Sequence, residues 1–458
     1  MQLRPLAAVR PWRVRGPALA LGFALVVLLA AATSALRPHH APAPAAATGP
    51  AAALDDEAQT GPAGSHATDR NIAFWQARLR ADARNYIAAT LLGATWSQKA
   101  RETGDVADYL RAETALRAAL GVNPAYDRAR AALAAVLFSE HRFAEALALA
   151  DAVAKADPGP TQAYATAADA RLELGDVAGA GDAYHALLAE APSPPVYSRV
   201  ARLAFLRGDT GGALRTMTRA VGEAAEEGAT GETIAWYRFQ LGELDFGAGR
   251  LADAEAAYGQ SLRDLPGYYL ATSGLAKVAA ARGDLDRAAV LYGRAVEVLP
   301  RPDLVAALGD VEAARGLTVA AGRQYATVEY IGRLAAINRQ VYNRQLALFY
   351  ADHDLHPAEA LRLAQAELRV RKDVYGWDAV AWTAYKARDF RLADDAARRA
   401  LAIGTRDPKL RYHAGMAALG VGDRARAREL LGQALAVNPA FDLLQAPLAE
   451  AALAEASR

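Results

Sequence analysis

Ten alanines recur along the chain at a nearly constant interval, and this repetition restricts the possible folds more than any other feature. They are Ala112, Ala146, Ala180, Ala213, Ala254, Ala288, Ala321, Ala360, Ala393 and Ala427, separated by 34, 34, 33, 41, 34, 33, 39, 33 and 34 residues. A fixed period of this length indicates that one structural unit is stacked many times. Alanine is abundant in this sequence, so the interval gains weight only if other residues repeat in the same register.

Three further residue types follow that register. Glycine stands five residues before six of the alanines, tyrosine four residues after four of them, and proline twelve residues after six. The glycines are Gly175, Gly208, Gly249, Gly283, Gly316 and Gly422; the tyrosines Tyr184, Tyr258, Tyr292 and Tyr325; the prolines Pro124, Pro158, Pro192, Pro266, Pro300 and Pro439. Glycine tolerates the left-handed conformation that ends a helix, alanine lets two helices approach closely, and proline cannot continue a helix. The unit is therefore predicted to be an antiparallel helical hairpin.

The combined pattern resembles the tetratricopeptide repeat (TPR), in which W-x2-L-G-x2-Y is followed by Gly, Ala, Phe or Tyr, Ala and Pro. The best-matching stretches are LGELDFGAGRLADAEAAYGQSLRDLP, residues 241–266, and LAKVAAARGDLDRAAVLYGRAVEVLP, residues 275–300. The Leu308–Gly309 pair repeats the Leu-Gly step, and Trp377 stands at the family's tryptophan position. The resemblance implies an all-α, right-handed superhelical solenoid of about ten TPR-like hairpins within residues 68–439, closed by a capping helix in residues 440–458.

The resemblance is interrupted in three places. The first unit carries extra residues around KARETGD, a spacer GEAAEEGATGE follows the fourth unit, and the eighth unit has no glycine corner. In such an array each hairpin is expected to contact only its neighbours, so removal of the capping helix would fray the C-terminal units first.

The N-terminal 36 residues predict export from the cytoplasm. Arg4, Arg10, Arg13 and Arg15 precede an apolar run over residues 17–36, which is long enough for an uncleaved membrane anchor and also ends like a cleavable signal peptide. Residues 37–67 are rich in proline and alanine and predict a disordered linker. The expected location is therefore a single-pass bacterial membrane protein with its C-terminal region outside the cytoplasm, or else a secreted or periplasmic protein.

The composition and motifs speak against catalysis. The chain has no cysteine, and 52 Lys and Arg balance 51 Asp and Glu, which leaves no positive excess for nucleic acid. No G-x-S-x-G, Walker or H-E-x-x-H motif is present, and the hairpins account for residues 85–439. We expect no enzyme activity and no cofactor. The segment DHDLH contains two weak metal candidates, His353 and His356, although a polar hairpin corner is usually only solvated.

Two functions follow as hypotheses. The favoured one is a scaffold that binds a protein or peptide on the concave face, which the first helix of each hairpin lines in this family. The alternative is an accessory solute- or metal-binding protein that works beside a membrane transporter. A thermal shift with divalent metals that disappears on replacing both His353 and His356 would favour the alternative.

Two groups of aromatic residues fall on the predicted concave stripe. The C-terminal stripe comprises Tyr375, Asp378, Trp382, Tyr385, Lys386, Lys409 and Tyr412, and the central stripe comprises Trp236, Phe239, Glu243 and Phe246. Large rings are usually recruited for packing between helices, but exposed rings beside charges also suit a peptide groove. Of the two, the C-terminal stripe is the predicted partner-binding site, because it combines rings, a carboxylate and two lysines.

Overall fold

The computed structural model describes residues 65–157, 159, 161–337 and 343–458 of the chain. The predicted anchor or signal at residues 1–36 lies outside these residues, as does nearly all of the predicted linker. Within the described part of the chain, no helix combines the length and the apolar character needed to cross a bilayer.

The described residues form 22 helices and no strand. The helices are α1 (Ser65–Ala81), α2 (Tyr86–Thr103), α3 (Val106–Val122), α4 (Asp127–Ser139), α5 (Phe143–Ala156), α6 (Gln162–Glu173), α7 (Val177–Glu190), α8 (Pro194–Leu206), α9 (Thr210–Glu226), α10 (Glu232–Gly247), α11 (Leu251–Asp264), α12 (Tyr269–Ala281), α13 (Leu285–Val298), α14 (Pro302–Ala314), α15 (Thr318–Ile337), α16 (Asn343–Asp352), α17 (Pro357–Val370), α18 (Val374–Lys386), α19 (Phe390–Leu401), α20 (Pro408–Gly420), α21 (Arg424–Val437) and α22 (Gln445–Ala456). Ten hairpins run from unit 1 (α2 with α3) to unit 10 (α20 with α21), flanked by α1 and α22. The predicted all-α solenoid with a C-terminal capping helix is confirmed.

The ten repeating alanines mark the contact between the two helices of each hairpin. Each lies on the second helix of its unit, and none is more than 2% exposed. A larger side chain at this position would separate the helices, because packed interiors leave almost no spare volume.

The corner between the two helices is left-handed even where glycine is missing. The six predicted glycines have φ between 73° and 92°, and His141 (φ 61°) and Arg388 (φ 64°) take the same conformation in units 2 and 9. Unit 8 turns through two such residues, Asp354 (φ 55°) and His356 (φ 44°). Left-handed backbone costs a residue with a Cβ roughly 1–2 kcal/mol, so these three corners are maintained by the packing of the helices around them.

The repeating tyrosines join the two helices of a unit by hydrogen bonds. Tyr184, Tyr258 and Tyr325 donate to carboxylates fifteen residues earlier, namely Asp169 (2.8 Å), Glu243 and Asp310 (2.9 Å). The Tyr258 ring lies between Gly242 and Gly274, where a Cβ would come within 2.5 Å and 2.6 Å of the ring. This contact explains why the repeat places glycine after leucine in the first helix.

The solenoid also closes on itself, and the expectation that only neighbouring hairpins touch is wrong here. The corners of units 3, 4 and 5 contact the loops that follow units 8, 9 and 10. A Cβ on Gly208, for example, would lie 2.3 Å from the carbonyl oxygen of Gly404, and Asn438 Nδ2 donates to the carbonyl of Phe246 at 2.8 Å. About five units therefore complete one superhelical turn, and consecutive turns are in direct contact.

Substitutions at two corner glycines distinguish two effects on stability: the cost of a Cβ in left-handed backbone, and the cost of a Cβ that collides with the neighbouring superhelical turn. Gly283 has φ 79° with open space around it, whereas Gly208 has φ 81° and faces the neighbouring turn. We expect Gly283→Ala to lower the free energy of unfolding by about 1 kcal/mol and Gly208→Ala to lower it by more, as measured by urea denaturation.

Gly293 provides the control, since it lies within α13 and a Cβ added there would have no other atom within 4 Å. Gly293→Ala should raise the stability by up to about 1 kcal/mol, because alanine is the better helix former. Equal costs for the substitutions at Gly208 and Gly283 would contradict contact between the turns.

Candidate functional site

A cavity of about 420 Å³ lies between the two superhelical turns; we call it the interturn cavity. One wall is formed by α8, α10 and α12 of units 4 to 6, and the other by α18, the start of α20 and the segment after α21. Its volume is in the range of cavities that bind small ligands or a few residues of a peptide.

The interturn cavity brings together residues from both predicted stripes. Glu243 and Phe246 of the central stripe face Tyr375 and Lys409 of the C-terminal stripe. These positions are far apart in sequence and meet because the array repeats its direction after about five units. A prediction limited to neighbouring units could place each stripe on a face but could not place the two stripes opposite each other.

Charged groups in the cavity wall are paired. Lys277 Nζ lies 2.7 Å and 2.8 Å from the two carboxylate oxygens of Glu243, and 4.5 Å from the centre of the Phe246 ring. Lys409 Nζ lies 2.9 Å from Asp442 Oδ2 on the opposite wall. Each wall therefore offers a paired cation and anion beside an aromatic ring, a combination that favours a dipolar ligand with an apolar part.

Burial and neighbouring carboxylates shift the pKa values of two groups at the C-terminal wall, Lys409 and Asp407. Burial would lower the pKa of Lys409, but Asp352 and Asp442 outweigh it and raise this pKa, so the ammonium stays charged. Asp407 caps α20 by accepting from the Lys409 backbone N–H at 2.9 Å, and burial followed by the nearby Asp378 raises its pKa.

Two of the predicted partner-binding rings lie in the interior. Trp382 is 2% and Tyr412 is 1% exposed, and their ring centres are 5.4 Å apart within an apolar cluster that includes Phe441. This burial agrees with the packing interpretation of these rings. They support the wall from behind and do not reach the cavity.

The other predicted residues are divided between this core and the surface. Asp378 is buried, while Tyr385 and Lys386 are partly exposed at the end of α18. The Tyr385 ring stacks on Trp382 at 5.4 Å, and Lys386 Nζ lies 2.7 Å from Asp354. Of the predicted set, Tyr375 and Lys409 line the interturn cavity.

A buried polar network lies behind these rings, and the sequence analysis included Asp378 and Trp382 from it only as partner-binding residues. His413 Nδ1 faces Asp378 at 2.9 Å, and His413 Nε2 faces Gln445 Oε1 of the capping helix at 3.0 Å. Asp352 accepts hydrogen bonds from Trp382 Nε1 at 2.7 Å and from Gln445 Nε2. The network ties α22 to α16, α18 and α20, and the period could place residues on a stripe but could not show which of them bond to each other across helices.

The two histidines considered as metal ligands have separate partners. His353 Nε2 lies 2.7 Å from Asp310, whereas His356 Nε2 lies 3.3 Å from Glu329. Burial would lower the pKa of His353, but the hydrogen bond and charge of Asp310 outweigh it and raise this pKa. Among the residues described, no group of three or more His, Cys, Asp or Glu is arranged to hold a metal ion.

A buried ion cluster holds the two cavity walls together. The Glu173 side chain is completely buried and accepts from Arg371 Nε at 2.6 Å and from Arg202 Nη2 at 2.7 Å. The backbone N–H of Lys372 donates to the Glu173 carbonyl at 2.8 Å. Arg202 lines the cavity on one superhelical turn, and Arg371 lies on the other turn. Glu173, Arg202 and Arg371 therefore join the two turns, and we call them the closure cluster.

Comparisons with known proteins identify a similar architecture at low similarity. No protein-family model matches the chain, and no curated protein matches its sequence. The chain is similar to one in the crystal structure of the APC/C hetero-tetramer Cut9–Hcn1, with 13% identity, 89% of this chain and 94% of that chain covered, and a TM-score of 0.32. It is also similar to a tetratricopeptide repeat protein from Parabacteroides merdae, with 17% identity, 54% and 93% coverage, and a TM-score of 0.38. At these values the fold assignment rests on the hairpins, corners and buried alanines described above.

The closure cluster predicts a large effect of one substitution. Arg371→Met leaves the buried Glu173 with Arg202 as its hydrogen-bonded cation, which is expected to lower the free energy of unfolding by about 3–5 kcal/mol at neutral pH, measured by urea denaturation. Arg362→Met is the matched control, because Arg362 makes an exposed pair with Glu359 one turn away, and should cost less than about 1 kcal/mol.

The ion pair between Glu173 and Arg371 also predicts how the stability of the protein changes with pH. Burial would raise the pKa of Glu173, but Arg371 and Arg202 outweigh it and lower the pKa from 4.5 to about 2. The pKa of Glu173 is lower in the folded state than in the unfolded state. The stabilisation that the ionised Glu173 provides is therefore present above pH 4.5 and is lost as the pH falls towards 2. The stability difference between wild type and Arg371→Met should therefore shrink over that interval, and a constant difference would contradict the assignment.

Proposed function

We propose that this protein is a non-catalytic scaffold that binds a polypeptide segment in the interturn cavity. The observation that carries the proposal is that residues of the two stripes, which lie on different superhelical turns, face each other across this cavity: Glu243 and Phe246 on one side, Tyr375 and Lys409 on the other. Stacked helical hairpins present extended surfaces of this kind, and exposed rings beside charges provide contact area with little loss of side-chain entropy.

The chemistry of the walls supports a peptide as the ligand. The partly exposed Tyr375 ring, with the small exposed parts of Phe246 and Phe441, offers apolar surface for one side chain. Glu243 and Lys277 lie within the same cavity and can bind backbone amide and carbonyl groups. A segment with one aromatic or long aliphatic residue between polar neighbours would satisfy both. Balanced charge on the walls gives no advantage to a strongly acidic or strongly basic segment.

Photo-crosslinking in the native cell tests this function. A photo-reactive phenylalanine analogue at Gln240, which lines the cavity, is expected to form an adduct with a polypeptide, and Tyr375→Ala should abolish that adduct. The same analogue at Val290, which is 56% exposed on α13 outside the cavity, is the control and should not capture that polypeptide. Capture at both positions, or capture of a small molecule alone at Gln240, would refute the scaffold function, and the second outcome would favour the solute-binding alternative.

We also propose that the N-terminal segment tethers the solenoid outside the cytoplasm. The support is the group of four arginines ahead of the apolar run at residues 17–36, since positive charge is retained on the cytoplasmic side.

Reporter fusions test this topology. A reporter enzyme that is active only outside the cytoplasm, fused after Ala67, is expected to be active, whereas a reporter that requires the cytoplasm should be silent at the same position. The control fusion ends at Arg15, before the apolar run, and should give the opposite pair of results. Cytoplasmic activity after Ala67 would exclude the proposed location.

A further inference from the structure

A second cavity lies where the repeat period is broken. The step from Ala213 to Ala254 is 41 residues long, and the extra residues lengthen α9 and form a spacer that turns through Gly228 (φ 78°) and Gly231 (φ 58°). Next to this spacer a groove of about 720 Å³ separates the second helices of units 4 and 5, α9 and α11, above α10. We call it the second-helix groove. It is formed by different helix faces from the interturn cavity and is open to a different ligand.

The floor of the groove is apolar and its walls carry arginines. Leu214, Leu241 and Ala257 form the floor, Arg215 projects from α9, and Arg263 projects from α11. Both arginines are exposed, and neither makes a hydrogen bond or an ion pair with any other described residue.

The other charges at the groove are paired with each other. Arg238 pairs with Asp264 at 2.9 Å, and Arg250 is shared between Asp245 at 3.1 Å and Asp253 at 2.9 Å. These two arginines face three carboxylates, so with Arg215 and Arg263 the group carries one net positive charge, and the two arginines without a partner among the described residues lie on opposite walls.

We propose that the second-helix groove binds an acidic amphipathic helix of a protein partner. The apolar face of that helix packs on Leu214, Leu241 and Ala257, and carboxylates on its two flanks pair with Arg215 and Arg263. The groove lies between two helices, of 17 and 14 residues, which give it a length of about 20 Å and match three to four turns of a third helix. Charge complementarity selects an acidic helix, because a basic one would face two unpaired guanidinium groups.

Binding of two synthetic peptides to the full-length protein tests the proposal. Both peptides are fluorescently labelled helices of about 14 residues, matching α11, with leucine along one face. One carries glutamate on both flanks and the other carries lysine at the same positions. The glutamate peptide is expected to bind at least tenfold more tightly than the lysine peptide, with an affinity that falls as salt is added. Equal affinities, or no binding of the glutamate peptide, would overturn the proposal.

Matched variants locate the binding site. The double variant Arg215→Glu/Arg263→Glu is expected to weaken binding of the glutamate peptide at least tenfold. The control Arg294→Glu/Arg428→Glu makes the same change at two exposed arginines on second helices of other units and should leave the affinity unchanged. Equal losses in the two double variants would show attraction by net charge alone and would refute a site in the groove.

Two single variants complete the test. Ala257→Trp fills the floor of the groove without changing its charge and is expected to abolish binding while the thermal unfolding midpoint stays near that of wild type. Tyr375→Ala changes the interturn cavity and should leave the peptide affinity unchanged. If Tyr375→Ala removed binding and Ala257→Trp did not, the peptide would occupy the interturn cavity, and the second-helix groove would be excluded as its site.

Discussion

The ion pair between Glu173 and Arg371 is the interaction on which the arrangement of the whole solenoid depends. A completely buried carboxylate is stable only if cations approach it closely, and here Arg371 and Arg202 do so from different superhelical turns. The pair fixes the distance between the walls of the interturn cavity, because Arg202 is itself part of one wall. An array of hairpins without such a contact would place units 3 to 5 and units 8 to 10 independently.

The repeat explains why closure occurs through corners and exit loops. Similar units related by a constant step bring equivalent points of successive turns into line, so the left-handed corners of units 3, 4 and 5 meet the loops that follow units 8, 9 and 10. At Gly208 the corner is close enough to a carbonyl that no Cβ would fit, whereas Gly283 has open space around it. Position 208 therefore requires glycine for two reasons: its backbone is left-handed, and the neighbouring superhelical turn leaves no room for a Cβ.

The period predicted the fold in detail but left much of the site undetermined. The contacts of each alanine and most glycine corners follow from neighbouring helices, so the sequence alone located them. The left-handed corners at His141 and Arg388 carry no sequence signal, because side chains with a Cβ rarely take that conformation and the surrounding helices impose it. Trp382 and Tyr412 satisfied the stripe pattern, yet the pattern cannot tell a groove from a core, and the capping helix with its Gln445 covers them.

Departures from the period are where this array acquires surfaces that the regular unit does not provide. The second-helix groove lies between the two units that the spacer joins, and the extra residues in unit 1 accompany an apolar pocket between α1 and α3 beside Trp96. A regular unit buries its apolar face on the next one, so an inserted residue must either lengthen a helix or spread two helices apart. The interturn cavity is held differently, because Glu173 and Arg371 join its walls by a contact between turns in addition to the contacts along the chain.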